Sequence, residues 1–472
     1  MAQPVLETKA GRGSRQVLPL LIGLGIASGA VYFFNFRLPA VAPLFSRPNQ
    51  IQVYLVLLLF LFVLYLGAVL LVLKNLAKIG HSPGLIGIIV IFALLFRTFL
   101  LPSTPSVLSN DMYRYIWDGR VQQSGINPYR YPPAAEELEE LRDERVFPNL
   151  NRKQVPTIYP AAAQSFFLLF HVLTGDSILG YKGFMVFFDA LTLLALAGLL
   201  KTYGFEPARL LIYAWNPLVV FEIAYSGHLE GLTVFFLVTA FLMHGINRKN
   251  TGVMLLAVAG ALKLYPSLLL AALLNRGRRI KGILLFGSIL ALLYLPYAGA
   301  GRRIIGFLPA YLNNPYESFN LGLKNLLLLF WPTMDYARLS QLFLISLLVA
   351  ALVILTREKQ KPDVLRAAYW LTGMLLLFMP AALHPWYVIL IIPFLAFFPN
   401  PAWLCFTGTV SLSYLKYVSP GEIMPTWVLL AEYLPLFFLL AVLFFLRKKG
   451  FENRLPTTFS VQRRNQLTEV KK

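Results

Sequence analysis

Cysteine is nearly absent: 472 residues contain only Cys405, inside an apolar run, which excludes disulfides and cysteine-based metal sites. Charge is scarce too, at 14% of residues, and acids are about half as common as bases, 22 against 42. The basic N-terminus MAQPVLETKAGRGSRQ is followed by no small-residue cleavage site, so the apolar stretch 17–36 is expected to stay as a first span. The surplus of +20 does not indicate a nucleic-acid partner. Lys and Arg lie mainly in short links and in the tail, where they hold span ends on the cytoplasmic side.

What the chain has in quantity is apolar length. Hydrophobic residues make up 57% of it and mean hydropathy is +0.65. Runs of about 18 or more apolar residues recur from end to end, which predicts an all-α polytopic membrane protein embedded in a lipid bilayer. Charge bias places spans at 17–36, 51–73, 85–101, 178–200, 208–225, 229–245, 283–298, 336–355, 365–383, 386–398, 402–417 and 426–446. That makes about 12 crossings with both termini cytoplasmic in the plasma (inner) membrane. The stretch TGVMLLAVAGALKLYPSLLLAALL is basic at both ends, so it is expected as a re-entrant hairpin with Lys263 and Pro266 near its tip. Four segments follow: residues 1–101, N-terminus and three spans; 102–177, an external catalytic loop with amphipathic helices; 178–446, the remaining spans; 447–472, a basic cytoplasmic tail. Within the loop, 159–175 is read as an interfacial or re-entrant helix.

This threading gathers chemistry at the outer face. Asp111 and Asp118 lie seven residues apart on nearly one helical face, with Arg114 between them. They suit either the polar side of an interfacial helix or, for Asp111 at the span junction, a general base toward a hydroxyl. His228 and Glu230 in SGHLEG read as caps or as substrate contacts; no set of three ligands with metal spacing accompanies them. Lys263 in ALKLYP is costly in mid-bilayer, by roughly 2.5–3.5 kcal/mol, unless it snorkels or holds an anionic headgroup. His384 in ALHPWYV is an aromatic-belt cap or a substrate group. Asn320 and Glu317, in NNPYESFNLGLKN, suit sugar hydroxyls.

DMYRYIWDGRVQQSGINPYRY, PTIYP, SGHLEG, ALKLYP and LHPWY occur in that order. Together they resemble the GT-C membrane glycosyltransferases, in particular the bacterial polyprenol-phosphomannose-dependent mannosyltransferases, and more distantly the catalytic subunit of the first GPI mannosyltransferase. The resemblance runs from Ser109 to Tyr414. It implies a GT-C-like fold, a catalytic aspartate falling on Asp111, a polyprenyl-phosphate sugar donor, and inverting transfer of a hexose, mannose first, to a glycan or glycolipid acceptor outside the membrane. Lys263 and Arg114 would then meet the charge of the leaving phosphate. Leu229 departs from the polar triplet of the family, and Asp111 is followed by Met112 and Tyr113, so no strict D-x-D exists. The pattern therefore identifies no certain cofactor and leaves a divalent metal open. A secondary transporter or lipid flippase also uses broken helices and a midplane lysine. It should show paired breaks in two repeats, and only one clear break is found.

Overall fold

A chain this apolar must satisfy its peptide groups internally, and helices do so. In the computed structural model, which describes residues 9–41, 47–79, 82–103, 108–308 and 319–448, the described residues contain no strand. Three helices begin the chain: α1 (Lys9–Val41), α2 (Arg47–Ile79) and α3 (Pro83–Leu100). Their outer faces are as apolar as their inner ones. On α2, Leu61 is buried while its neighbour Phe60 is 52% exposed. That pattern fits hydrocarbon as the surrounding solvent.

The segment 102–177 carries α4 (Asp111–Gln123) and α5 (Ala161–Thr174). These two pack closely because of Gly119, where a β-carbon would lie 2.5 Å from the Phe167 carbonyl oxygen. Tyr115 stacks on Phe167 at 4.6 Å beside that contact. Gly175, at φ 57°, ends α5, and the Ser177 hydroxyl caps α6 (Ile178–Thr202). A buried polar cluster fastens α6 to its neighbours. Arg97 of α3 pairs with Asp189 of α6 and donates to the Ala214 carbonyl at 2.8 Å, and Tyr213 donates to Asp189 at 2.5 Å.

Seven helices among the described residues are long and apolar enough to cross a bilayer, compared with the twelve crossings expected. The other five expected segments form shorter or broken helices. Prolines explain much of this, because each removes a backbone donor and forces a turn start. Residues 207–225 thus run as a 3₁₀ turn at Pro207, two four-residue helical turns, the second opened by Pro217, and a π turn at Phe221–Tyr225.

Next come α7 (Glu230–Gly245) and α8 (Lys249–Leu262), packed antiparallel. At Lys263 the backbone becomes extended (φ −143°, ψ 138°), and Pro266 sits in the short 3₁₀ turn that follows. The chain then returns through Leu270–Leu273 to Asn275, whose side chain donates to the Lys359 carbonyl at 2.8 Å and accepts from its N–H. Lys263 therefore lies level with the start of α7, while Asn275 lies at the opposite end, beside the link between two later helices. The remaining long helices are α9 (Arg279–Tyr294), α10 (Tyr336–Thr356), α11 (Lys361–Leu377) and α12 (Thr426–Lys448). Glu317, Asn313 and the tail from residue 449 onward lie outside the described residues.

Candidate active site

Asp111 opens α4 and lines a cavity of about 960 Å³. Asn151, from the loop before α5, donates to the Asp111 Oδ1 at 2.8 Å and also touches Asn110 at 3.1 Å. The other oxygen faces Nδ1 of His228 at 3.9 Å. Burial raises the Asp111 pKa above the usual carboxylate value; Lys263, the Asn151 hydrogen bond and Arg152 act against it without cancelling it. The side chain remains 21% exposed, so a substrate can reach it.

Behind this carboxylate lies a ring stack. Trp386 packs on His228 at 3.9 Å and on His384 at 4.4 Å, and His384 packs in turn on Phe319 at 4.8 Å. Burial, then Lys263, push His228 well below the ordinary imidazole value. Burial, Lys263 and Arg152 bring His384 down to about 3. Both rings are thus neutral at physiological pH. Lys263 reaches the same chamber from the helix break: its Nζ donates to Glu230 Oε1 at 2.5 Å, where Tyr265 also donates at 2.8 Å, and it lies 5.0 Å from the centre of the Tyr387 ring.

The cavity is polar at one end and apolar at the other. Asp111, Asn151, Arg152, Lys263, His384 and Lys416 surround the head. Leu268, Ala271 and Leu274 from the returning limb, with Leu344 through Leu355 on α10, line the rest. At 1.5 Å per residue the α10 wall alone is about 16 Å long.

Of the eight residues expected to form the site, Asp111, Arg114, Lys263 and His384 line the cavity. His228 and Glu230 do not; both are buried immediately behind it, against Asp111 and Lys263. Arg114 has little to offer a ligand, since its Nε donates to Asp118 at 2.9 Å and its terminal nitrogens face the Val155 carbonyl. Asp118 is away from the cavity altogether. It is buried, and its second oxygen accepts from Thr157 at 2.6 Å and Gln164 at 2.8 Å, so it ties α4 to α5 and the preceding loop. Asp111 and Asp118 lie two turns apart on α4, and α5 covers the Asp118 end through Gln164. Asn320 is likewise occupied: its side-chain amide donates to both oxygens of Glu432 and accepts from the Gly322 N–H, and its backbone carbonyl accepts from the Leu383 N–H beside His384.

Sequence reasoning missed Asn151, Arg152, Lys416 and Tyr265, each an ordinary polar residue in its local run. Arg152 has a positive φ of 49°, which sequence does not announce. Among the described residues no three His, Cys, Asp or Glu side chains are grouped to hold a metal ion. No curated protein matches the chain. Residues 21–275, which include Asp111, His228 and Lys263, match the family described as alpha-(1->6)-mannopyranosyltransferase, N-terminal domain.

Proposed function

Since the chain belongs to this family of membrane mannosyltransferases, we propose that it moves mannose from a polyprenyl-phosphate donor to a hydroxyl of a glycan or glycolipid at the outer face of the plasma membrane, with inversion. One observation carries the reading: a reachable carboxylate with a raised pKa heads a cavity whose far end is a long apolar groove. Nucleotide sugars are charged and confined to the cytoplasm, whereas a lipid-linked sugar fits both ends of this cavity. The apolar groove takes the prenyl chain and the head takes sugar and phosphate.

In the transfer, Asp111 accepts the proton of the acceptor hydroxyl as the oxygen attacks the anomeric carbon. The bond from that carbon to the phosphate oxygen breaks, and the phosphodiester leaves as a phosphomonoester with one more negative charge. Lys263, Arg152 and Lys416, all at the cavity head, face that growing charge. Fixed cationic groups of this kind act most strongly where charge develops, typically by a few kcal/mol per well-placed donor. Glu230 and Tyr265 hold the Lys263 ammonium in place.

Asp111→Asn tests the assignment, because it keeps shape and hydrogen bonding and removes basicity. Turnover should fall by roughly 10²–10⁴-fold, the usual cost of a lost general base, with donor KM unchanged. A variant that keeps wild-type turnover would remove Asp111 from the chemistry.

A further inference from the structure

Asn110 is the N-cap residue of α4, and its backbone behaves as one, the carbonyl accepting from the Tyr113 N–H at 3.1 Å. An asparagine there normally turns its side-chain oxygen onto the free N–H groups of the first turn. This one does not. Its side chain makes no capping bond; exposed to solvent, the residue lines the cavity beside Asp111. Ser109 covers part of the loss, its hydroxyl oxygen accepting from the Asp111 N–H at 3.3 Å. Two contacts hold the Asn110 side chain: Oδ1 accepts from Asn151 at 3.1 Å, and Nδ2 donates to the Asn149 carbonyl at 3.3 Å. A primary amide offers two N–H bonds and two lone pairs. Among the described residues, one of each is left over on Asn110. Asn151 also fixes where this amide sits relative to the base, because its Nδ2 donates to Asp111 Oδ1 as well, at 2.8 Å. The Asn110 and Asp111 oxygens share that one nitrogen, so they lie within two hydrogen-bond lengths of each other.

We propose that Asn110 is a specificity residue for the acceptor: its spare amide groups bind a second hydroxyl of the sugar whose first hydroxyl gives its proton to Asp111. This rests on Asp111 being the base. Inverting displacement decides which substrate is meant. The attacking oxygen and the leaving phosphate lie on opposite sides of the anomeric carbon, so the sugar held at the base is the acceptor, while the apolar groove holds the lipid of the donor. A hydroxyl both donates and accepts, which matches an amide with one N–H and one lone pair to spare. The short reach from Asn110 to Asp111 lets two hydroxyls of one sugar ring meet both side chains. Holding the acceptor at two points also orients the attacking oxygen. The substrate class that follows is a polyol with hydroxyls close together, as the end of a glycan has. Water or a simple alcohol makes only the contact to Asp111.

Asn110→Ser is the test, because serine is an equally good N-cap but too short to reach the same hydroxyl. With labelled polyprenyl-phosphate mannose as donor and a heat-treated glycolipid extract as acceptor, the variant should need roughly three- to tenfold more extract for its half-maximal rate, the scale of one lost hydrogen bond. Donor KM and the acid limb of the pH profile should stay in place. Asn110→Ala should raise the acceptor KM equally, although alanine caps poorly; if it fails to insert, the serine variant still decides. Were Asn110 needed only for the helix, serine would leave the acceptor KM at the wild-type value, and that result overturns the proposal. A rise in donor KM alone overturns it too, since the amide would then lie on the donor sugar. So does an acid limb moved to higher pH with acceptor KM unchanged, the sign of a residue that only holds Asn151 against Asp111. Full turnover in Asp111→Asn would instead remove the base assignment on which both readings stand.

Discussion

At the residue scale, Asp111 has a raised pKa because burial outweighs Lys263, Asn151 and Arg152. A base with a raised pKa becomes protonated, and so idle, at a higher pH than an ordinary carboxylate. The acid limb of kcat/KM should therefore lie above the usual carboxylate range. Asn151→Ala removes a hydrogen bond that favours the charged form, so it should move the limb to still higher pH. A limb that stays put or moves down would separate Asp111 from the titration. Asp111 and Lys263 were legible in the sequence because each interrupts or borders an apolar run. Asn151 and Arg152 were not, since a polar residue in a polar loop offers no contrast. Asp118 shows the opposite failure: it has the right residue type on the right face, and Thr157 and Gln164 occupy it.

At the scale of elements, the feature that brings Lys263 to the site is the reversal between α8 and the returning limb. It was legible because basic clusters flank both ends of one apolar stretch, which a single crossing would separate. The breaks in residues 207–225 and 385–395 were not legible, because apolar composition alone does not distinguish a straight helix from one cut by Pro207, Pro217 or Pro385. Thiol labelling in a Cys405→Ala background checks the reversal. Ser124 and Asn250 are exposed, and Gly277 has open space at its β-carbon position, so cysteine fits at all three. Ser124→Cys should react with an impermeant reagent on intact cells, while Asn250→Cys and Gly277→Cys should both stay protected until the cells are opened. Labelling of Asn250→Cys and Gly277→Cys from opposite sides would mean that the chain crosses at Lys263.

At the scale of the whole molecule, the fold joins a polar chamber to a groove that opens along α10. A lipid donor already sits in hydrocarbon, so entering the groove gives it far less than the roughly 0.8 kcal/mol per methylene of transfer from water. Discrimination must therefore come mainly from the head, where cations and Asp111 meet sugar and phosphate, while the groove sets which kind of donor can enter. The central claim is that mannose arrives on a lipid phosphate. The most direct measurement places purified protein in lipid nanodiscs with a heat-treated glycolipid extract as acceptor. Either polyprenyl-phosphate mannose or nucleotide-linked mannose, labelled in the sugar, is then supplied. Label should reach the glycolipid from the lipid donor alone; equal transfer from the nucleotide sugar would contradict the account.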